Sequence, residues 1–288
     1  MPHRAELALL SIAFIWGASF VIVQDAVQTI PVLTFLALRF GIALLALLII
    51  FNGTLLELHQ PLHRQALWGG VLIGLALFGG YAFQTWGLLH TTVTKSGFYT
   101  GLSVVLVPLL AGLFFRRRVS GPEWLGAGLS GAGLGLIVFG AGVAAIDFNS
   151  GDLLTLLAAL CFAFQIVLID RLVTEANYPL LLIAQISVVA LLSAVGSLSA
   201  QQLTFNWPLP VWEAIVAMGL LATALAFWIQ NRFQARSTAT RAAIILASEP
   251  VFAGLFGYLL KGDRLQIEQW LGAILILTAM IIAGHRKP

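Results

Sequence analysis

The stretch AAIILASEPVFAGLFGYLL, Ala242 to Leu260, decides how this chain is read. Nineteen residues lie between Arg241 and Lys261, and Glu249 is the only acidic or basic one among them. At 1.5 Å rise per residue such a helix is about 28 Å long, close to the thickness of a bilayer's hydrocarbon core. A carboxylate in mid-span is costly, and such groups face a bundle interior or a wet cavity. Pro250 follows at once. Its ring removes a backbone donor and frees the carbonyl of Leu246, which predicts a kink beside Glu249.

Composition extends that reading to the whole chain. It is 60% hydrophobic and 9% charged, against about 25% charged in soluble domains. This is the composition of a multi-pass membrane protein. No long polar segment suggests an appended soluble domain. The net charge of +3 is small and points to no nucleic-acid partner. The single cysteine, Cys161, excludes an intrachain disulfide. The run from Leu7 to Val23 after Arg4 has the look of a signal peptide. It is instead read as a span, because it is long, lacks a small-x-small cleavage site and recurs later.

Ten apolar segments follow one another: 5–24, 31–51, 66–89, 93–115, 123–141, 151–172, 178–200, 210–233, 239–260 and 267–284. Basic residues orient them. With the N-terminus in the cytoplasm, eleven fall inside: Arg4, Arg64, Arg116, Arg117, Arg118, Arg171, Arg232, Arg236, Arg241, Arg286 and Lys287. Three fall outside: Lys95, Lys261 and Arg264. The expectation is a cytoplasmic (inner) membrane protein with both termini in the cytoplasm.

The chain also repeats. A gapless shift of 146 residues lays Gln84 on Gln230, Thr92 on Thr238, Thr94 on Thr240 and Arg118 on Arg264. It lays Glu6-Leu7 on Asp152-Leu153, and Trp124-Leu125-Gly126-Ala127 on Trp270-Leu271-Gly272-Ala273. Two units are expected, 1–145 and 146–288. Five spans each is an odd number, so the halves must be inverted. That is a transporter architecture, with its site near the midplane where the halves meet.

Polar residues at helical spacing mark the faces that meet there. They are Trp16, Ser19 and Phe20 on the first helix, with Phe162, Gln165 and Ile166 as repeat mates on the sixth. Tyr81, Gln84 and Thr85 on the third have Phe227, Gln230 and Asn231 as mates on the eighth, with Trp228 beside that face. Tyr99 and Ser103 lie on the fourth, and Ser103 is the mate of Glu249. Unsatisfied polar groups are expensive in hydrocarbon, so helices 1, 3, 4, 6, 8 and 9 are expected to wall one cavity. The same groups could serve instead as interhelical hydrogen-bond partners. Arg39, about 12 Å into the second helix, is expected at a depth near Glu249. It could pair with Glu249, snorkel, or bind backbone carbonyls. Gly131 and Gly135 form a G-x-x-x-G face suited to close helix packing.

Other chemistry is not supported. Gly128-Leu129-Ser130-Gly131 resembles an intramembrane protease motif. That chemistry needs a base beside the Ser, and His3, His59, His63, His90 and His285 lie in loops, tails or helix ends. Pro61 between His59 and His63 argues against a helical metal face. No phosphate-binding Walker sequence is present. No enzyme activity, metal or cofactor is expected.

The motifs resemble, as a set, the drug/metabolite transporter superfamily of EamA type. They are Trp16-Gly17-Ala18-Ser19-Phe20, Ala37-Leu38-Arg39-Phe40, Thr100-Gly101-Leu102-Ser103 with Val107-Pro108, Ser248-Glu249-Pro250-Val251-Phe252-Ala253, and Trp270-Leu271-Gly272-Ala273. One turn departs: Arg116-Arg117-Arg118 stands where members often carry an acidic residue, while Gly262-Asp263-Arg264 keeps that pattern. The resemblance implies an all-α membrane fold of ten helices in two inverted five-helix repeats around a central cavity. It implies a permease for small metabolites, often amino-acid-like or amphipathic, often outward. The expected reading is a secondary transporter working by alternating access, with a small-molecule solute and membrane lipid as partners. Glu249 is the candidate proton carrier and Pro250 the candidate hinge. A lipid or lipid-precursor flippase and a non-transporting scaffold or signalling protein are the rival readings. Coupling ion and homo-oligomerisation stay open.

Overall fold

The structure is a computed structural model that describes residues 2–52, 61–140, 148–202, 204–256 and 266–284. His3, His59, His63, Arg64, His285, Lys261, Gly262-Asp263-Arg264, Arg286 and Lys287, all weighed above, lie outside the described side chains. Eight helical stretches are long and apolar enough to cross a membrane: Arg4–Val27, Val32–Ile50, Gln65–Gly87, Val93–Phe115, Ser150–Leu172, Tyr178–Ser199, Leu209–Gln234 and Ala239–Phe256. Gly121–Gly140 and Ile267–Gly284 are the fifth and tenth spans in chain order. Leu45, Ile49, Leu72, Leu113 and Leu191 stay largely exposed on the outer faces. An oily exterior is what lipid solvates, so the apolar pattern here has no polar face to report.

The fourth and ninth spans are each broken in two. The fourth comprises Val93–Gly101 and Ser103–Phe115, the ninth Ala239–Leu246 and Glu249–Phe256. The halves of the chain agree atom by atom here. Thr92 caps the fourth span, its Oγ accepting from Lys95 N at 3.2 Å, and its mate Thr238 accepts from Arg241 N at 3.1 Å. Such a cap stabilises a helix start by about 1 kcal/mol. Past the break, Val105 N donates to Leu102 O and Val251 N to Ser248 O, both at 3.0 Å. Pro250 therefore does not by itself cause the kink, because its mate in the fourth span is Val104.

The fifth and tenth spans show how the halves are related. A Cβ on Gly133 would lie 2.6 Å from Gly272 O, and one on Gly126 would lie 3.3 Å from Ala279 O. The shift of 146 interchanges these two contacts. As one partner's number falls from 133 to 126, the other's rises from 272 to 279, so the two helices run antiparallel. Repeat mates that pack antiparallel about a twofold put that axis in the membrane plane, which is an inverted repeat. The close crossing falls at Gly133, two residues from the Gly131 that the G-x-x-x-G spacing suggested. Gly131 instead faces Val105.

Candidate functional site

A cavity of about 820 Å³, counting the part open to solvent, lies between the halves. The first span supplies Trp16, Ser19 and Phe20, the third Tyr81, Gln84 and Thr85, and the fourth Ser103. Phe162 and Gln165 come from the sixth, Phe227 and Gln230 from the eighth, and Glu249 and Pro250 from the ninth. Arg39 of the second span also reaches it.

One glycine brings the ninth span close. A Cβ on Gly17 would lie 2.7 Å from Glu249 O and 2.9 Å from Phe252 Cβ. The first helix can therefore rest against the break, with Trp16 and Glu249 on the same wall.

Arg39 is buried and held by protein acceptors. Its Nε donates to Thr223 Oγ1 at 2.7 Å, and its Nη2 reaches Tyr81 Oη and Ala222 O, each at 3.4 Å. Its guanidinium carbon sits 4.8 Å from the Tyr81 ring centroid. Of the three partners the sequence left open, backbone carbonyl is the one observed, joined by a hydroxyl and an aromatic ring. No ion pair joins Arg39 to Glu249 among the described residues.

Two of these acceptors come from a feature that sequence reading missed. Leu220–Leu225 in the eighth span is a π-helical turn, a type often found at functional sites. Thr223 Oγ1 donates five residues back, to Met218 O, at 2.8 Å. Ala222 O also accepts from Trp16 Nε1 at 2.9 Å. The equivalent residues 74–79 of the third span stay α-helical. No periodicity in Leu220–Leu225 signals the difference.

Tyr81 is the hub of the aromatic wall. Its ring lies edge-on to Phe40 at 5.0 Å, Phe162 at 5.5 Å and Phe227 at 6.0 Å, and Phe227 meets Trp16 at 5.5 Å. The amides form the polar part. Gln84 Nε2 donates to Thr100 Oγ1 at 3.0 Å. Gln165 Nε2 donates to Gln230 Oε1 at 3.2 Å, Gln230 Nε2 to Gln234 Oε1 at 3.1 Å, and Gln234 Nε2 to Ile166 O at 2.7 Å. Ser19 Oγ turns back to Trp16 O.

Three expected residues do not line this cavity. The break at Leu102 separates Tyr99 from Ser103, so Thr100 and Gly101 face inward and Tyr99 stacks near Phe98 and Phe148. Trp228 packs among the core apolar residues, 6.4 Å from Phe51. Asn231 is buried and donates to Phe227 O of its own helix. Residues 100 and 101 stood in a quoted motif, while Leu246 and Ala247, which also line the cavity, carried no polar signal.

Ion pairs gather at the two ends of the bundle. Arg117–Asp170 and Arg236–Glu175 lie at one end, and Lys95–Asp152 at 3.1 Å lies at the other. Among the described residues no cluster of His, Cys, Asp and Glu is built to hold a metal.

Comparison with known proteins agrees with this architecture. An uncharacterized transporter of Archaeoglobus fulgidus is 32% identical over 282 residues, covering 98% of this chain and 86% of its own. The uncharacterized inner membrane transporter YedA of Escherichia coli is 26% identical over 297 residues, covering 97% and 90%. A solved crystal structure superposes with a TM-score of 0.76 at 19% identity, covering 97% of each chain, which shows a shared fold. The profile of the EamA-like transporter family matches twice, over residues 3–139 and 149–284. The chain is a multi-pass membrane protein and belongs to the EamA-like transporter family.

Proposed function

We propose that this protein is a secondary transporter that exports a small organic metabolite with an apolar or aromatic body, by alternating access between units 1–145 and 146–288. One observation carries the reading. A cavity open to solvent lies between inverted halves, walled by aromatic rings and amides and bordered by two spans broken at equivalent positions. A scaffold with a plugged centre has no need of such a space. Broken helices at a repeat interface give the halves places to bend as they rock. In a proton-coupled cycle Glu249 is the cavity carboxylate that carries the proton, and the break beside Pro250 is the hinge.

Export and uptake measured across a metabolite panel, in cells overproducing the wild type or Glu249→Gln, test this. A solute whose flux rises with the wild type and not with the variant supports the reading. Wild-type fluxes equal to those of empty cells, with the protein folded in the membrane, would sink it.

We place the protein in the cytoplasmic membrane with both termini inside, on the eleven-to-three bias of basic residues. The position of Arg117–Asp170 and Arg236–Glu175 at a common end fits that assignment. A cysteine at position 118, in a Cys161→Ser background, is expected to resist an impermeant thiol reagent added from outside. Labelling there would reverse the orientation.

A further inference from the structure

The two charged side chains of the cavity are in different situations. Arg39 is 2% exposed, and its Nε and Nη2 are already committed to Thr223, Tyr81 and Ala222. That occupies the Nε–Nη2 edge, one of the two edges on which parallel N–H groups can clamp a solute carboxylate, and leaves Nη1. The Glu249 carboxylate has no hydrogen bond or ion pair among the described residues, and its side chain keeps some exposure on the cavity wall.

The neutral polar groups show the same bias. Ile166 O can only accept, so it fixes the Gln234 amide with Nε2 toward it. Gln234 Oε1 then accepts from Gln230 Nε2, and Gln230 Oε1 accepts from Gln165 Nε2. The chain of amides is polarised, and it ends in the cavity on Gln165 Oε1, an acceptor. Gln84 likewise spends its Nε2 on Thr100 and keeps Oε1. The Trp16 indole N–H is spent on Ala222 O. The indole N–H and one N–H of each of these amides are satisfied within the protein, while among the described residues the amide oxygens of Gln84 and Gln165 accept no hydrogen bond from it.

We infer that the solute is an organic cation, a protonated amine on an apolar or aromatic body, whose ammonium is anchored by the Glu249 carboxylate. This rests on the transport reading above and names its solute class. An ammonium has three donors and no acceptor, which matches a lining of carboxylate and amide oxygens. The faces of Trp16, Phe20, Phe162 and Phe227 also attract a cation. An anion would meet an unpaired carboxylate, and an Arg39 whose Nε and Nη2 already hold protein acceptors. A neutral solute would cover Glu249 without giving it a partner, at a desolvation cost.

Two probes of matched size and opposite charge test the assignment. Radiolabelled phenethylamine, protonated at neutral pH, is titrated onto the full-length protein in lipid nanodiscs, with 3-phenylpropionate as competitor. Saturable phenethylamine binding is expected, with 3-phenylpropionate competing at least about tenfold less well. Glu249→Gln is expected to weaken binding by at least about tenfold, while Glu249→Asp, which keeps the charge, retains most of it. Equal or better competition by the anion, or a Glu249→Gln variant that binds like the wild type, overturns the cation assignment. So does a folded wild type that binds neither probe. Accumulation of an anionic or neutral solute in the cell screen would leave the transport reading standing and remove only this inference.

Discussion

The fourth and ninth spans share a backbone and differ in chemistry. Both open on a threonine cap, both break ten residues after that cap, and both restart with the same pair of turn hydrogen bonds. At the restart the fourth span carries Ser103 and the ninth carries Glu249. The crossing helices differ as well. Gly17 meets the ninth span at Glu249, and its mate in the sixth span is Ala163, which carries a Cβ. The repeat supplies a symmetric frame, and point substitutions within it make one side of the cavity charged.

The sharpest way to break that comparison is to neutralise each restart in turn. Glu249→Gln is expected to lower transport by roughly 10- to 100-fold, the size of a lost charge-assisted hydrogen bond of about 1.5–3 kcal/mol. Ser103→Ala is expected to stay within about twofold, since no protein partner is lost. Initial rates in proteoliposomes read both, and equal losses would mean that the charge asymmetry is irrelevant.

A second test acts on the crossings. Gly17→Ala forces a methyl against Glu249 O, for a destabilisation of about 1–3 kcal/mol by overpacking. Ala163→Gly removes a tolerated methyl and is expected to cost about 1 kcal/mol in helix propensity. Thermal unfolding of the purified variants measures both. Gly17→Ala melting with the wild type would mean that the two helices separate easily.

The π-helical turn offers a comparison between the third and eighth spans. Thr223→Val removes the acceptor for Arg39 Nε and is expected to cost about 1–3 kcal/mol, as for a buried donor left unpaired. Thr223→Ser keeps the hydroxyl and is expected to recover most of that. If serine is as damaging as valine, the methyl and not the hydrogen bond is what Thr223 supplies.

The smallest effect is expected at Pro250. Because the fourth span breaks without a proline at that position, Pro250→Ala should leave the break in place. Amide exchange across residues 247–252 is expected to change by no more than about threefold. Strong new protection there would show that the ninth span, unlike the fourth, needs its proline to bend.

Much of this architecture can be read from the chain itself. Span number follows from apolar length, because a bilayer of fixed thickness demands about twenty apolar residues per crossing. Inversion follows from a gapless repeat that holds an odd number of spans. The inward faces of the first, third and sixth helices follow from helical spacing, since polar groups avoid lipid, while on the eighth Phe227 and Gln230 reach the cavity and Trp228 and Asn231 do not. Orientation of a face fails where the helix is not regular. The break at Leu102 turned Tyr99 aside and brought in Thr100, and a period of 3.6 residues cannot foresee it. The π-helical turn at Leu220–Leu225 leaves no mark in composition, yet it supplies two of the three acceptors that hold Arg39. Whether Arg39 met a carboxylate, a carbonyl or a ring was a matter of a few ångströms between spans distant in sequence. Local sequence states which groups must be satisfied, and only the packed bundle decides by whom.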